Sequence, residues 1–234
     1  MINITKVQGE PQPLQDFKAN TQLLGAGSPC NYDLLVNPQK NDYKLALLIE
    51  QHYLCAYCNR NLDEYLEPTD KLANKLHLLK IEHWYPQSLC KIYAHYDTPN
   101  GRDVAHENML IVCPGENANP KFTHCDSSRT DGSTLTIKPQ DPAYRFSNVF
   151  RYEGGVLKTD IAAIQSDVDD ELNLNDDMLI HRRNVVLNQF IKSLPNKNAI
   201  NKQVLIQKYT TPNRENRLKE YCTLIVYFIV NNLN

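Results

Sequence analysis

Cys55-Ala-Tyr-Cys58 sets two thiols at a spacing that lets both sulfurs reach one tetrahedral ion, each at about 2.3 Å. Further along, the stretch KIEHWYPQS puts Glu82 and His83 side by side after an apolar run. A Glu-His pair alone is most often a solvated surface feature. What the pair does depends on what else the chain carries.

A tetrahedral site needs two more ligands. Cys113 closes the apolar run ENMLIVC, and Cys125 lies twelve positions on, past a Pro-, Gly- and Asn-rich loop that can fold back. Cys55, Cys58, Cys113 and Cys125 therefore form a candidate closed four-cysteine zinc site, with His124 able to replace Cys125. A CxxC is also a redox spacing, but the βαβ surroundings of a thioredoxin-like site are missing. Cys30, Cys90 and Cys222 read as buried small hydrophobes. His52, His77, His95, His106 and His181 have no partner at ligand spacing.

The elements that must position these groups can be read from pattern. NDYKLALLIEQHYLCAYC has Leu45, Leu48 and Ile49 at helical spacing and Asp42 as a cap, which predicts a helix running up to Cys55. A short strand is expected over Leu79 to Trp84 and a clearer one over Glu107 to Cys113. From about Asp160 the pattern turns helical. The apolar run CTLIVYFIV is too short for a bilayer, which needs about 20 residues, and reads as a buried helix or strand. Residues 1–40, rich in Pro, Gly, Asn and Gln, read as an extended arm with at most one short helix. The expected organisation is thus an arm (1–40), a core (41–134) and a helical region (135–234), mainly helical α+β overall.

Composition bounds the function. Over 234 residues, 41% are apolar and 22% charged, with a net charge of -2, so any nucleic-acid contact must come from a local patch. Asp160 to Asp177 holds seven acidic residues and no basic one, whereas His181 to Asn234 holds nine Lys/Arg against two acidic residues. This asymmetry reads as solvated helix faces or as a basic surface for nucleic acid or an acidic partner. The N-terminus MINITKVQGEPQPLQDF has no apolar h-region, so a cytoplasmic protein is expected, and disulfides are not.

Taken together, CAYC, IEHWYPQS, ENMLIVC and HCDSSRTD resemble an HNH endonuclease with a ββα-metal core. More narrowly, the chain is similar to the PtuB family, the HNH component of Septu-type antiphage systems and of retron Ec78-type cassettes. The resemblance covers about residues 41–134. It implies that His83 is the general base, that Glu82 and Asp126 bind a catalytic Mg²⁺ or Mn²⁺, and that Asn108 orients the base. It further implies that Arg129 holds a phosphate and that the cysteine site carries a structural zinc. The chain departs from the family pattern in having no second CxxC (Glu116 stands where a cysteine is common) and in using Glu82, Asp126, Arg129 and Thr130 where Asp or His, Asn or His, Lys, and Gly are more usual.

The implied function is metal-dependent cleavage of nucleic-acid phosphodiester bonds in antiviral defence, on DNA or on RNA including tRNA. The implied partners are a PtuA-type ATPase and, in a retron cassette, a reverse transcriptase with its DNA–RNA hybrid. The arm would then order on docking to the ATPase, and deleting residues 1–30 would leave the zinc core folded. The rival readings are a non-catalytic zinc-stapled adaptor in the same complex and a CxxC redox protein.

Overall fold

The computed structural model describes residues 4–23, 30–66, 75–92, 101–115, 123–144, 149–195 and 201–233. In chain order the regular elements are α1 (Gln12–Leu23), α2 (Gln39–Glu50), β1 (Lys80–His83), α3 (Gln87–Ile92), β2 (Met109–Val112), β3 (Arg151–Glu153), β4 (Val156–Lys158), α4 (Ala162–Ser166), α5 (Asp177–Ser193), α6 (Lys202–Thr210) and α7 (Cys222–Asn232). Short 3-10 turns connect several of them, and the protein is α+β and mainly helical. His124, Cys125 and Asp126 follow β2 across residues 116–122, which include Glu116 and lie outside the described residues; the first described helical element there is the 3-10 turn Cys125–Ser127.

Both expected strands form. β1 and β2 pair antiparallel, with Glu82 opposite Leu110 and His83 opposite Met109. All of β2 is buried, which explains its unbroken apolar run. The helix expected to reach Cys55 ends at Glu50 instead. His52 and Tyr53 take positive φ, which turns the chain out of the helix. The reason is Gln51. Its amide donates to the Ile111 carbonyl at 2.8 Å and accepts from the Ile111 N–H at 2.8 Å. This one side chain caps the free edge of β2 with a pair of hydrogen bonds, next to the Ala56 N–H of the CxxC, which donates to the same Ile111 carbonyl at 3.2 Å.

The arm is not extended. α1 packs on α2, and Ile4, Leu14 and Phe17 are buried in the same core as β1 and β2. The Ile4 N–H donates to the Pro139 carbonyl at 2.8 Å, and Lys6 and the Val7 N–H both reach Glu50 at the end of α2. One core cluster runs from Ile4 to Cys222, so the three expected segments are packed into one another. Removing residues 1–30 would strip Ile4, Leu14, Phe17 and Cys30 from that core, and the zinc-site region would lose support rather than stay whole.

β3 and β4 form a hairpin with Gly154 and Gly155 at the turn. Gly154 has φ +61, and a Cβ on Gly155 would lie 2.4 Å from the Ile180 carbonyl oxygen. α7 carries the CTLIVYFIV run and buries Cys222 through Val226 together with Ile229. With α5 and α6 it makes a second apolar cluster around Phe190, Ile225 and Ile229. No helix among the described residues is long and apolar enough to cross a membrane.

Candidate metal centre and adjoining cleft

The four predicted cysteines converge. All are fully or nearly fully buried, and their sulfurs lie within 4.8 Å of one another. Among the described residues they are the one group of three or more His, Cys, Asp or Glu so arranged. Sulfur separations of 3.8 Å (Cys55–Cys125), 3.9 Å (Cys58–Cys113) and 3.8 Å (Cys113–Cys125) match the edges, about 3.8 Å, of a tetrahedron with metal–sulfur bonds of about 2.3 Å. They are far too long for disulfides, whose S–S bond is about 2.05 Å.

The wide spacing between Cys113 and Cys125 is bridged locally. Gly115 has φ +63 and accepts from the His124 N–H at 2.9 Å. A Cβ there would lie 1.9 Å from the His124 carbonyl oxygen, so this crossing admits only glycine. Cys125, also at positive φ, donates its N–H to Leu172 at 2.8 Å, tying the site to the segment after α4. His124 lies just outside, its Nδ1 3.4 Å from the Cys125 sulfur.

The sulfurs differ in how readily they ionise. Burial opposes a thiolate at Cys55, yet hydrogen bonds from Cys113, Cys125 and Cys58 pull its pKa well below the usual range. Burial and the same neighbours push Cys125 well above it. Four sulfurs in this space cannot all be anionic without a bound positive ion, and the donor set is that of a soft, tetrahedral metal.

The same strands carry a second group of residues. Glu82 is buried on β1; the Tyr57 hydroxyl, from inside the CxxC, donates to its Oε1 at 3.0 Å, and Arg129 pairs with the same oxygen. Burial, then hydrogen bonding with and the charge of Asp126, push Glu82 up to about 8 against the opposing Arg129 guanidinium. Asp126 is partly exposed and its Oδ2 lies 3.3 Å from the Lys80 ammonium.

His83 is buried at the end of β1. Its Nε2 lies 2.7 Å from the Asp103 carbonyl oxygen. A carbonyl only accepts, so the ring proton sits on Nε2 and Nδ1 is left as the basic nitrogen. Burial pushes the imidazole down to about 4, so it is neutral at pH 7. The Tyr32 ring stands edge-on to it, with centroids 4.5 Å apart.

Asn108 does not touch His83. It fixes the chain two residues on: its Oδ1 accepts from the Tyr85 N–H at 2.7 Å, and its Nδ2 donates to the Tyr85 and Arg102 carbonyls at 3.0 Å. Arg129 donates to the His83 carbonyl at 2.7 Å, to the Trp84 carbonyl at 3.0 Å and to the Ser133 carbonyl, besides Glu82. Its guanidinium is thus spent as a buried clamp around the turn after β1.

Glu82, His83, Asp126 and Arg129 line one cleft of about 280 Å³, together with Tyr32 and the Thr130–Gly132 turn. Those four, singled out in the sequence, thus lie together. Sequence reasoning missed Tyr57, Tyr32, Lys80 and the Asp103 carbonyl. Tyr57 sits within the quoted CxxC, where its type was a readable signal; a backbone carbonyl leaves none. It also missed the role of His106, whose Nε2 pairs with Glu50 at 2.9 Å and whose Nδ1 meets the Tyr43 hydroxyl at 2.8 Å.

Neither a protein-family model nor any curated protein matches this chain.

Proposed function

We propose that the protein is a zinc-stapled, metal-dependent HNH endonuclease of the PtuB type, hydrolysing nucleic-acid phosphodiester bonds as the effector of a cytoplasmic antiviral defence system. The observation that carries this reading is the tautomer of His83. Its Nε2–H is committed to the Asp103 carbonyl, which leaves Nδ1 as the basic nitrogen of a residue that lines one cleft with Glu82 and Asp126. That is the protonation state a general base needs, and burial, by holding the ring down to about 4, makes it a weak one.

Zn²⁺ held by Cys55, Cys58, Cys113 and Cys125 would be structural. All four positions are protein sulfurs and none is open to substrate. Glu82 and Asp126 would hold a hard divalent cation, Mg²⁺ or Mn²⁺, which supplies Lewis-acid stabilisation of the phosphorane and leaving oxygen. Asp126, the more exposed of the two, faces solvent where a cation and a phosphate could enter. Arg129 and Tyr57 hold Glu82 in place. Asn108 and Arg129 fix the turn after β1, which keeps His83 aimed at the cleft. Arg129 would act on phosphate only by giving up some of its protein partners.

The partners carried over with this reading are a PtuA-type ATPase and, in a retron cassette, a reverse transcriptase bearing its DNA–RNA hybrid. The test is cleavage of DNA and of RNA by the assembled complex with Mg²⁺ or Mn²⁺. Cleavage that needs the divalent ion and is abolished in Asp126→Asn supports the reading. A metal-independent cut, or none from any assembled complex, contradicts it.

One observation favours a second reading, a zinc-stapled adaptor without catalysis. Both carboxylates already have a protein cation, Arg129 on Glu82 and Lys80 on Asp126. An adaptor would bind its partners equally well as wild type and as His83→Ala, with no cleavage by either.

A further inference from the structure

A second cavity, of about 430 Å³, opens beside the cleft and shares Tyr32, Ile81 and Asp126 with it. The two differ in charge. The cleft presents Glu82, Asp126 and Asp131 against the one cation Arg129, whereas the second cavity presents Lys40, Lys44, Lys80 and the exposed His77 against the one carboxylate Asp126. Two of its lining residues, Lys40 and Lys44, lie on one face of α2, at the spacing that aligns side chains on a helix, and Asn37 lies in the turn before it. The geometry points to this basic groove as the subsite for the phosphodiester backbone next to the scissile phosphate, an inference that rests on the nuclease reading above.

Two observations point to an anionic occupant. Lys44 is buried, and among the described residues its ammonium reaches the Leu76 and His77 carbonyls, at 3.2 and 3.3 Å. No carboxylate is paired with it among these contacts. Burial first, and then the neighbouring charge of Lys40 one helical turn away, push Lys44 down to about 8, so the two ammonium groups repel each other along one wall of the groove. Asp33 offsets Lys40 in part, and Asp126 is held by Lys80 at the boundary between the cavities. A phosphate between Lys40 and Lys44 would relieve the repulsion and satisfy both.

Tyr32 stands at the junction. One side of its ring environment is His83, and Lys40 lies 4.6 Å from its centroid. A strand whose scissile phosphate sits by His83 must pass Tyr32 to place its next phosphate among the lysines. These contacts are to phosphate and carry no base reading, so the groove would bind without sequence preference.

The test uses the zinc-loaded full chain without added Mg²⁺ or Mn²⁺, and a fluorescein-labelled single-stranded oligonucleotide read by anisotropy. Lys40→Glu should weaken binding by roughly tenfold or more, since a charge-assisted contact of about 1.5 kcal/mol or more is lost. Lys40→Arg should restore it. The slope of log affinity against log salt should fall by about 0.7 for the phosphate contact removed. With Mn²⁺ added, Lys40→Glu should still hydrolyse bis(p-nitrophenyl) phosphate, which has no neighbouring phosphate. Unchanged oligonucleotide affinity and salt slope in Lys40→Glu would overturn the groove even where the wild type cleaves well. Equal loss on both substrates would also overturn it, by placing Lys40 in the cleft. Lysine-dependent binding by a chain that hydrolyses neither substrate would keep the groove and end the nuclease reading.

Discussion

The cysteine cluster and the adjoining cleft are built from neighbouring residues of the same loops, yet they are opposite in design. Tyr57 lies between two sulfur ligands and bonds Glu82, and Asp126 directly follows Cys125. The cluster is closed, symmetric and buried, with every corner a sulfur. The cleft is open and asymmetric, with one buried carboxyl, one exposed carboxylate and one neutral imidazole. The difference teaches a division of labour. A closed tetrahedron converts binding energy into fold, whereas a site with unfilled positions leaves room for substrate.

The most severe way to break this comparison is Cys55→Ser. Structural zinc binding is worth about 10–16 kcal/mol in small sites, more than the stability of most domains, so losing a ligand should unfold both regions together. Circular dichroism melts with a zinc stoichiometry measurement would show it. A Cys55→Ser chain with wild-type melting would mean that the cluster is not a staple.

His83→Ala should break the cleft alone. Cleavage should fall by about 10²–10⁴-fold. The Asp103 carbonyl loses its donor, costing about 1–3 kcal/mol, and zinc content should not change. Full activity in a folded His83→Ala protein would remove His83 from the mechanism.

Arg129 lies where the two regions meet, and Arg129→Lys separates its clamp role from a phosphate-binding one. A lysine cannot reproduce bonds to Glu82 and to the carbonyls of His83, Trp84 and Ser133. Stability should fall by about 3–5 kcal/mol, the cost of breaking a buried pair. A loss of cleavage with unchanged melting would assign Arg129 to substrate instead.

The smallest effect expected is on pH dependence. Lys44 binds its proton less tightly folded, at about 8, than unfolded, at 10.5. Its charge therefore opposes folding below about pH 8, and that penalty is relieved as pH rises from about 8 to 10.5. Lys44→Met should flatten this rise in melting temperature between pH 8 and 10. Identical pH profiles for the two proteins would show that Lys44 titrates normally.

The sequence was legible where chemistry and pattern coincide. The four cysteines were read from type and spacing and the two strands from their apolar runs, whereas the roles of Glu82, His83 and Asp126 came from the resemblance; the structure brings the cysteines into one cluster and the other three into one cleft. What failed depended on tertiary partners. The end of α2 was overshot because Gln51, an ordinary helix former, is recruited to pair with Ile111. The N-terminal arm was read as extended because its few apolar residues lack periodicity, yet Ile4, Leu14 and Phe17 are enough once α2 and Glu50 receive them. The β3–β4 hairpin was readable from Glu153-Gly-Gly-Val156 and was passed over. Arg129 as a clamp was not readable, since its acceptors are mostly backbone carbonyls.

The central claim is that the cleft, and not the cysteine cluster, holds the catalytic metal. Its most direct test is a Mn²⁺ titration of the zinc-loaded chain, read as hydrolysis of bis(p-nitrophenyl) phosphate, for wild type and for Glu82→Gln with Asp126→Asn. The account predicts saturable Mn²⁺-dependent hydrolysis by the wild type, and none by the double variant although its zinc is intact. Equal hydrolysis by the two proteins would contradict it.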